Sequence, residues 1–214
     1  YRNKRQRPAI GNGFPRHTPT ILGDALHNLR AALDHAYCAL VIANEGTVGE
    51  YCRFPFSKNG DMKSLEGSLK GHEKKGCAPS QKIIALILNE IEPFPGKKGS
   101  DLCDLHALDI ADKHLDLLPT EQHTAVSDLT FSTGSSIRGL TLLTSNAPAI
   151  AFAPGTGLSP HNQNKVAFDI CFGGGTAFEG KPILPILKRL HTLVVDTLQK
   201  LERAAAEEAR GGSH

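Results

Sequence analysis

LGDALHNLRAALDHAYCALVIAN, spanning Leu22–Asn44, is the stretch whose reading decides the architecture. Leu22, Leu26, Leu29, Leu33, Ala36 and Leu40 recur at alternating steps of four and three, which places them on one stripe of an α-helix. Thr18 or Thr20 can cap its start, Pro19 is tolerated in a first turn, and Asn44, Glu45 and Gly46 end it. Beside the stripe lie Arg30, His27 and Asp34, and toward the far side Asp24, Asn28 and His35. No other segment combines so regular an apolar face with so many groups able to bind phosphate or move a proton.

Upstream, YRNKRQRP carries Arg2, Lys4, Arg5 and Arg7 before Pro8, Gly11, Gly13 and Pro15, and reads as an irregular basic arm over residues 1–17. Downstream, YCRFPFS is a short extended piece that Pro55 demotes to an edge, and SKNGDMKSLEGSLKGHEKKG is a lysine- and glycine-rich loop with one helical turn. Ser80 can cap a second helix, QKIIALILNEI, stopped by Pro93 and Pro95. Ser100 can cap a third, DLCDLHALDIADKHLDLL, with Leu102, Leu105, Leu108 and Leu115 as its apolar positions.

After Pro119 the texture changes to short runs rich in Thr, Ile, Val and Phe: DLTFST, IRGLTLLT, AIAFA and KVAFDICFG. Their spacing predicts an antiparallel meander, with Val166, Phe168, Ile170 and Phe172 on its buried side. A last helix runs from Ile183 to Ala209. The expected fold class is therefore α+β: a helical bundle of three main helices with a four-stranded antiparallel sheet inserted before the C-terminal helix. Residues 18–209 form one domain in this reading, with the insertion at about 120–176 and a flexible tail at 210–214.

Composition narrows the classes. The chain is 40% hydrophobic and 21% charged, ordinary for a folded domain, and its formal charge of +2 is too small for nucleic-acid binding by overall electrostatics. Five cysteines at wide spacings, without a CxxC pair, read as reduced thiols of a cytoplasmic protein, several of them buried. No segment reaches the roughly 18 apolar residues of a membrane span.

Arg30 and His35, in an R-x4-H spacing, are the candidate catalytic pair. The arginine offers a donor fork for a phosphate and the histidine a proton-transfer group near neutral pH, so together they can cleave RNA without a metal. On a straight helix they lie about 140° apart. Convergence then requires a kink, long side chains meeting in a cleft, or a second copy in a homodimer. Asn28 and Asp34, with Asp112, Lys113 and His114 of the DKH segment, are the supporting binding groups. The structural alternative makes Arg30 and Asp34 a helix-surface pair, Asp109 and Lys113 another, and lets Asp112 or His114 bond across to Arg30 or His35. A minor alternative is a metal-dependent hydrolase using His106, Asp109, Asp112 and His114, but no HExxH pattern accompanies them and no cofactor is expected. The glycines of FGGGTAFEG lack the GK[ST] of a phosphate loop and read as a turn.

The LGDALHNLRAALDHAYCAL helix, the FPF and IEPFPG segments, LDIADKHLDLL and DICFGGGTAFEGKPILPILKRLHTLVVDTL together resemble a widespread family of uncharacterised bacterial proteins with a GD-LHNLRSALDH helix and a DKH helix. More distantly, R-x4-H on a long bundle helix resembles HEPN domains, many of them metal-independent ribonucleases. That resemblance implies RNA as partner, Arg30 as phosphate binder and His35 as proton-transfer group. HEPN domains usually carry a polar residue directly after the arginine, where this chain has Ala31.

Overall fold

The computed structural model describes residues 17–57, 60–114, 118–127, 129–130, 136–137, 140–143 and 165–211. The basic arm apart from His17, the AIAFA run, Leu115 and the last three residues of the tail lie outside them, as do the side chains of His114 and of residues 165–168. The described chain is mostly helical, with five α-helices: α1 (Thr18–Ala43), α2 (Met62–Lys74), α3 (Gln81–Leu86), α4 (Ser100–His114) and α5 (Ile183–Gly211). It divides into two compact units, one of residues 21–117 and 185–214, the other of residues 118–184 with the segment up to Thr20.

In the helical unit, α1 buries Leu22, Gly23, Leu26, Arg30, Leu33, Tyr37 and Val41 along a single face. Each fully buried leucine contributes about 1.5–3 kcal/mol relative to exposure. The helix ends where Glu45 takes a left-handed φ of 57° and the Gly46 amide donates back to the Val41 carbonyl at 2.8 Å.

The loop expected after Ser57 is instead a 13-residue helix, α2. Asp61 caps it by accepting from the Ser64 amide at 2.7 Å, and Leu65 and Leu69, four apart, supply its whole buried face. Two leucines and a methionine in a lysine- and glycine-rich run are too few to register as a periodic stripe, yet the leucines suffice against a formed core. Ser80 caps α3 as expected, accepting from the Ile83 amide, and the helix widens into a π-turn at Ile87–Ile91 before Glu92 reverses it at φ 49°. Ser100 is not the cap of α4 but its first residue, and its hydroxyl accepts from the Gly96 amide. Leu102, Leu105 and Leu108 are buried, and α5 contributes Ile186, Leu190, Val194, Leu201 and Ala204.

The four-stranded meander is not what forms. In the other unit β1 (Thr120–Ser127) is the central strand of a three-stranded antiparallel sheet, flanked by β4 (Leu140–Leu143) and β5 (Lys165–Phe172). The short strands β2 (Leu129–Thr130) and β3 (Ser136–Ile137) pair separately. Six of the eight residues of TEQHTAVS are polar and it looks unlike a strand, but it bonds to neighbours on both sides, so the ladder rather than side-chain patterning holds it. Cys171 is buried beside Phe172, although alternation predicts one face only, because the chain folds back over the end of β5 through bridges to Pro182 and Glu179.

Candidate functional site

The chemistry-bearing residues of α1 meet α4 and the FPF segment within the helical unit. Arg30 is only 3% exposed. Its Nε donates to His106 Nδ1 at 3.3 Å, its Nη2 donates to the Phe54 carbonyl at 3.3 Å, and its Nη1 pairs with Asp34 one turn on. The guanidinium carbon lies 4.5 Å from the centre of the Phe56 ring, and His106 stacks on that ring at 4.6 Å and 6°. Asp34 also accepts from the Phe54 amide at 2.7 Å. Arg30 and Asp34 thus clamp the backbone of Phe54 from both sides, donor to carbonyl and carboxylate to amide.

His106 accepts from Arg30 through Nδ1, which fits a neutral imidazole. Its burial, and the Arg30 charge next to it, push its pKa from 6.5 down to about 4. One helical turn away, Asp109 is 4% exposed and takes two donors. The His27 ring nitrogen Nδ1 lies 3.0 Å from Oδ1, and Lys113 Nζ lies 2.7 Å from Oδ2. At the next turn of α4 the Asp112 carboxylate packs directly against Gly23, where even a β-carbon would fall 2.6 Å from Oδ1. Gly23, His27, Arg30 and Asp34 on α1 therefore meet Asp112, Asp109, His106 and the Phe54 backbone, a ladder running the length of the helix pair.

The expected site residues separate into two groups. Arg30, Asp34, Asp112 and Lys113 are gathered along this ladder, whereas Asn28 and His35 are exposed on the opposite side of α1. Arg30 and His35 do not share a cleft, since one is buried and the other faces outward. The two i, i+4 pairs expected on the surface, Arg30–Asp34 and Asp109–Lys113, each have one buried member. Arg30 crosses to His106, not to Asp112, and His114 lies outside the described side chains. Phe54 and Phe56 were invisible as partners in the sequence, where only the aromatic spacing of FPF hinted that two rings flank a proline.

Further along α1, Tyr37 hydroxyl and His72 Nδ1 share a 2.8 Å hydrogen bond, and burial raises the tyrosine pKa. Among the described residues no group of three or more His, Cys, Asp or Glu side chains is placed to hold a metal ion, and no helix is long and apolar enough to cross a membrane. In the other unit the Gly174 and Gly175 amides already point at Glu121 and Glu179 carboxylates, at 3.3 and 2.9 Å. No family model matches the chain, and no curated protein or solved structure matches it.

Proposed function

We propose that this chain is a non-catalytic interaction protein, in which the Arg/Asp/His cluster is an interhelical polar network that fixes α1 against α4 and the FPF segment. The observation that carries this reading is the state of Arg30. Two of its guanidinium nitrogens are hydrogen-bonded to His106 and Phe54, the third, Nη1, is ion-paired with Asp34 but makes no hydrogen bond, and its flat face rests on Phe56. A phosphate would have to displace a carboxylate and strip a buried ring to reach it, at a cost of several kcal/mol. His35 is exposed on the far face of α1, away from the buried Arg30.

The test is incubation of the full chain with mixed RNA in EDTA, beside a His35→Ala variant. His35 is exposed, so its removal leaves the fold intact. The expected outcome is no cleavage by either form. Cleavage by the native chain that disappears in His35→Ala overturns the reading and restores a metal-independent ribonuclease.

A further inference from the structure

Three cysteines from three separate segments gather around Tyr37. Cys38 follows Tyr37 on α1, Cys52 lies on the run that carries Phe54 and Phe56, and Cys77 follows the turn that ends α2. All three are near enough for a charge on any of them to act on the Tyr37 hydroxyl. Hydrogen bonds join two of the three. Cys38 Sγ donates to the Cys52 carbonyl at 3.2 Å, and the two thiols also bond to each other, whereas Cys77 reaches Cys52 only through its charge. One turn back on α1, Asp34 accepts from the Phe54 amide at 2.7 Å. Helix α1 therefore holds the run at residues 52 and 54, both buried, while Arg53 between them is exposed. The Cys52 side chain lies on the inward side of the run, against Cys38.

We propose that Cys38 and Cys52 form a peroxide-responsive thiol pair, which closes to a disulfide and locks the FPF segment onto α1. Cys38 is half-buried and Cys52 buried, so a small hydroperoxide meets Cys38 first. The Cys38 thiolate attacks one peroxide oxygen, the O–O bond breaks, and the departing hydroxide takes up the proton that the thiol lost. Cys38 is then a sulfenic acid. The Cys52 sulfur, ionised in turn, attacks the Cys38 sulfur; the S–S bond forms, the S–O bond breaks, and the second hydroxide leaves as water with the Cys52 proton. Two thiols give up two electrons and two protons, and one hydroperoxide becomes two waters, or a water and an alcohol. Burial and the neighbouring Cys38 sulfur hold the Cys52 thiol above its ordinary range, so Cys52 is reached through Cys38 rather than directly.

The other thiols do not compete. Cys103 donates to the Pro93 carbonyl at 3.0 Å, and Cys171 belongs to the other unit. The bond would join residues 14 positions apart at a place where the reduced chain already holds them together, so it constrains the unfolded chain without drawing the segment to a new position. This chemistry goes beyond the interaction reading and does not depend on it.

The test is a peptide map. The reduced full chain is treated with a small excess of hydrogen peroxide, its remaining thiols are alkylated in denaturant, and it is cut by a glutamate-specific protease. Glu45 and Glu50 lie between the two cysteines, so cleavage puts Cys38 and Cys52 on separate peptides. The expected product is those two peptides joined, lighter by two hydrogen atoms than their sum, and parted by dithiothreitol. Cys52→Ala should stop at a Cys38 sulfenic acid that dimedone traps, Cys38→Ala should leave Cys52 reduced, and Cys77→Ala should leave the linked product unchanged, each with the native circular dichroism spectrum. Oxidation of the native chain that ends with Cys38 as a sulfinic acid and Cys52 alkylated, or with Cys38 joined to Cys77 or to a second chain, would overturn the pairing. An equal yield from chain oxidised in urea would trace the bond to nearness in sequence and overturn the pre-positioning. The oxidised chain should unfold at a higher urea concentration and return to the reduced midpoint on reduction; a lower midpoint would overturn the lock.

Discussion

Arg30 is the side chain whose removal should be felt most. Arg30→Ala strips a cation from a buried pair, leaving Asp34 without its counter-charge and the Phe54 carbonyl without its donor, so a loss of about 3 kcal/mol is expected in urea unfolding. Arg30→Lys should recover little of it, because an ammonium cannot fork to three acceptors or lie flat on Phe56. His106 supplies a pH dependence of known sign. Its pKa is 6.5 when unfolded and about 4 in the fold, so as pH falls through that window the unfolded chain takes up a proton that the native imidazole refuses. Stability should therefore decline from pH 6.5 toward 4, and His106→Gln should flatten that decline in denaturation midpoints measured at pH 7 and pH 5. The importance of Arg30 was legible from its place on the helix beside the leucine stripe. Its burial was not, because burial depends on Phe54 and Phe56 arriving from another segment.

At the scale of elements, caps and close approaches decide where helices stand. Asp61→Ala removes the acceptor of the Ser64 amide and should cost about 1 kcal/mol, most of it in α2. Amide hydrogen exchange should show faster exchange over residues 62–74 than over α1. Gly99, just before α4, is held against the chain end of the π-turn: a β-carbon there would lie 2.5 Å from the Ile91 carbonyl oxygen and 2.9 Å from that of Glu92. Backbone atoms cannot step aside, so Gly99→Ala should destabilise by about 1–3 kcal/mol, read as a lowered thermal midpoint. Helices α1, α3 and α5 stand out in the sequence because their apolar residues repeat at helical spacing. Helix α2 does not, since its two leucines lie among lysines and glycines, and β1 does not, since its strand character comes from hydrogen bonds on both edges.

Over the whole molecule the five cysteines offer a map of packing. All are free thiols, Cys52, Cys77 and Cys171 buried and Cys38 and Cys103 half-buried. Burial pushes the Cys52 thiol up to about 12, and burial with the nearby Asp104 charge pushes Cys103 up to about 11, so neither forms the reactive thiolate readily at neutral pH. A disulfide-exchange reagent should titrate all five in denaturant. In the native chain it should react first at Cys38, slowly at Cys103, and not at the other three on the same timescale. Fast modification of Cys52 or Cys77 would show the region around Tyr37 to be looser than its packing implies.

The sequence by itself determined the long helices, because a repeat of three and four is a property of neighbours along the chain and needs no partner to be read. It also determined that α1 would carry its polar groups on two sides, one beside the leucines and one away from them. Only the tertiary structure decided what those sides mean. Arg30, Asp34 and His27 became a ladder to Phe54, His106 and Asp109 because α4 and the FPF segment pack there, whereas Asn28 and His35 were left on the outer face. Residues 5 apart on one helix point in different directions, and which of them meets a phosphate, a ring or a second chain depends on contacts between segments that no local spacing records.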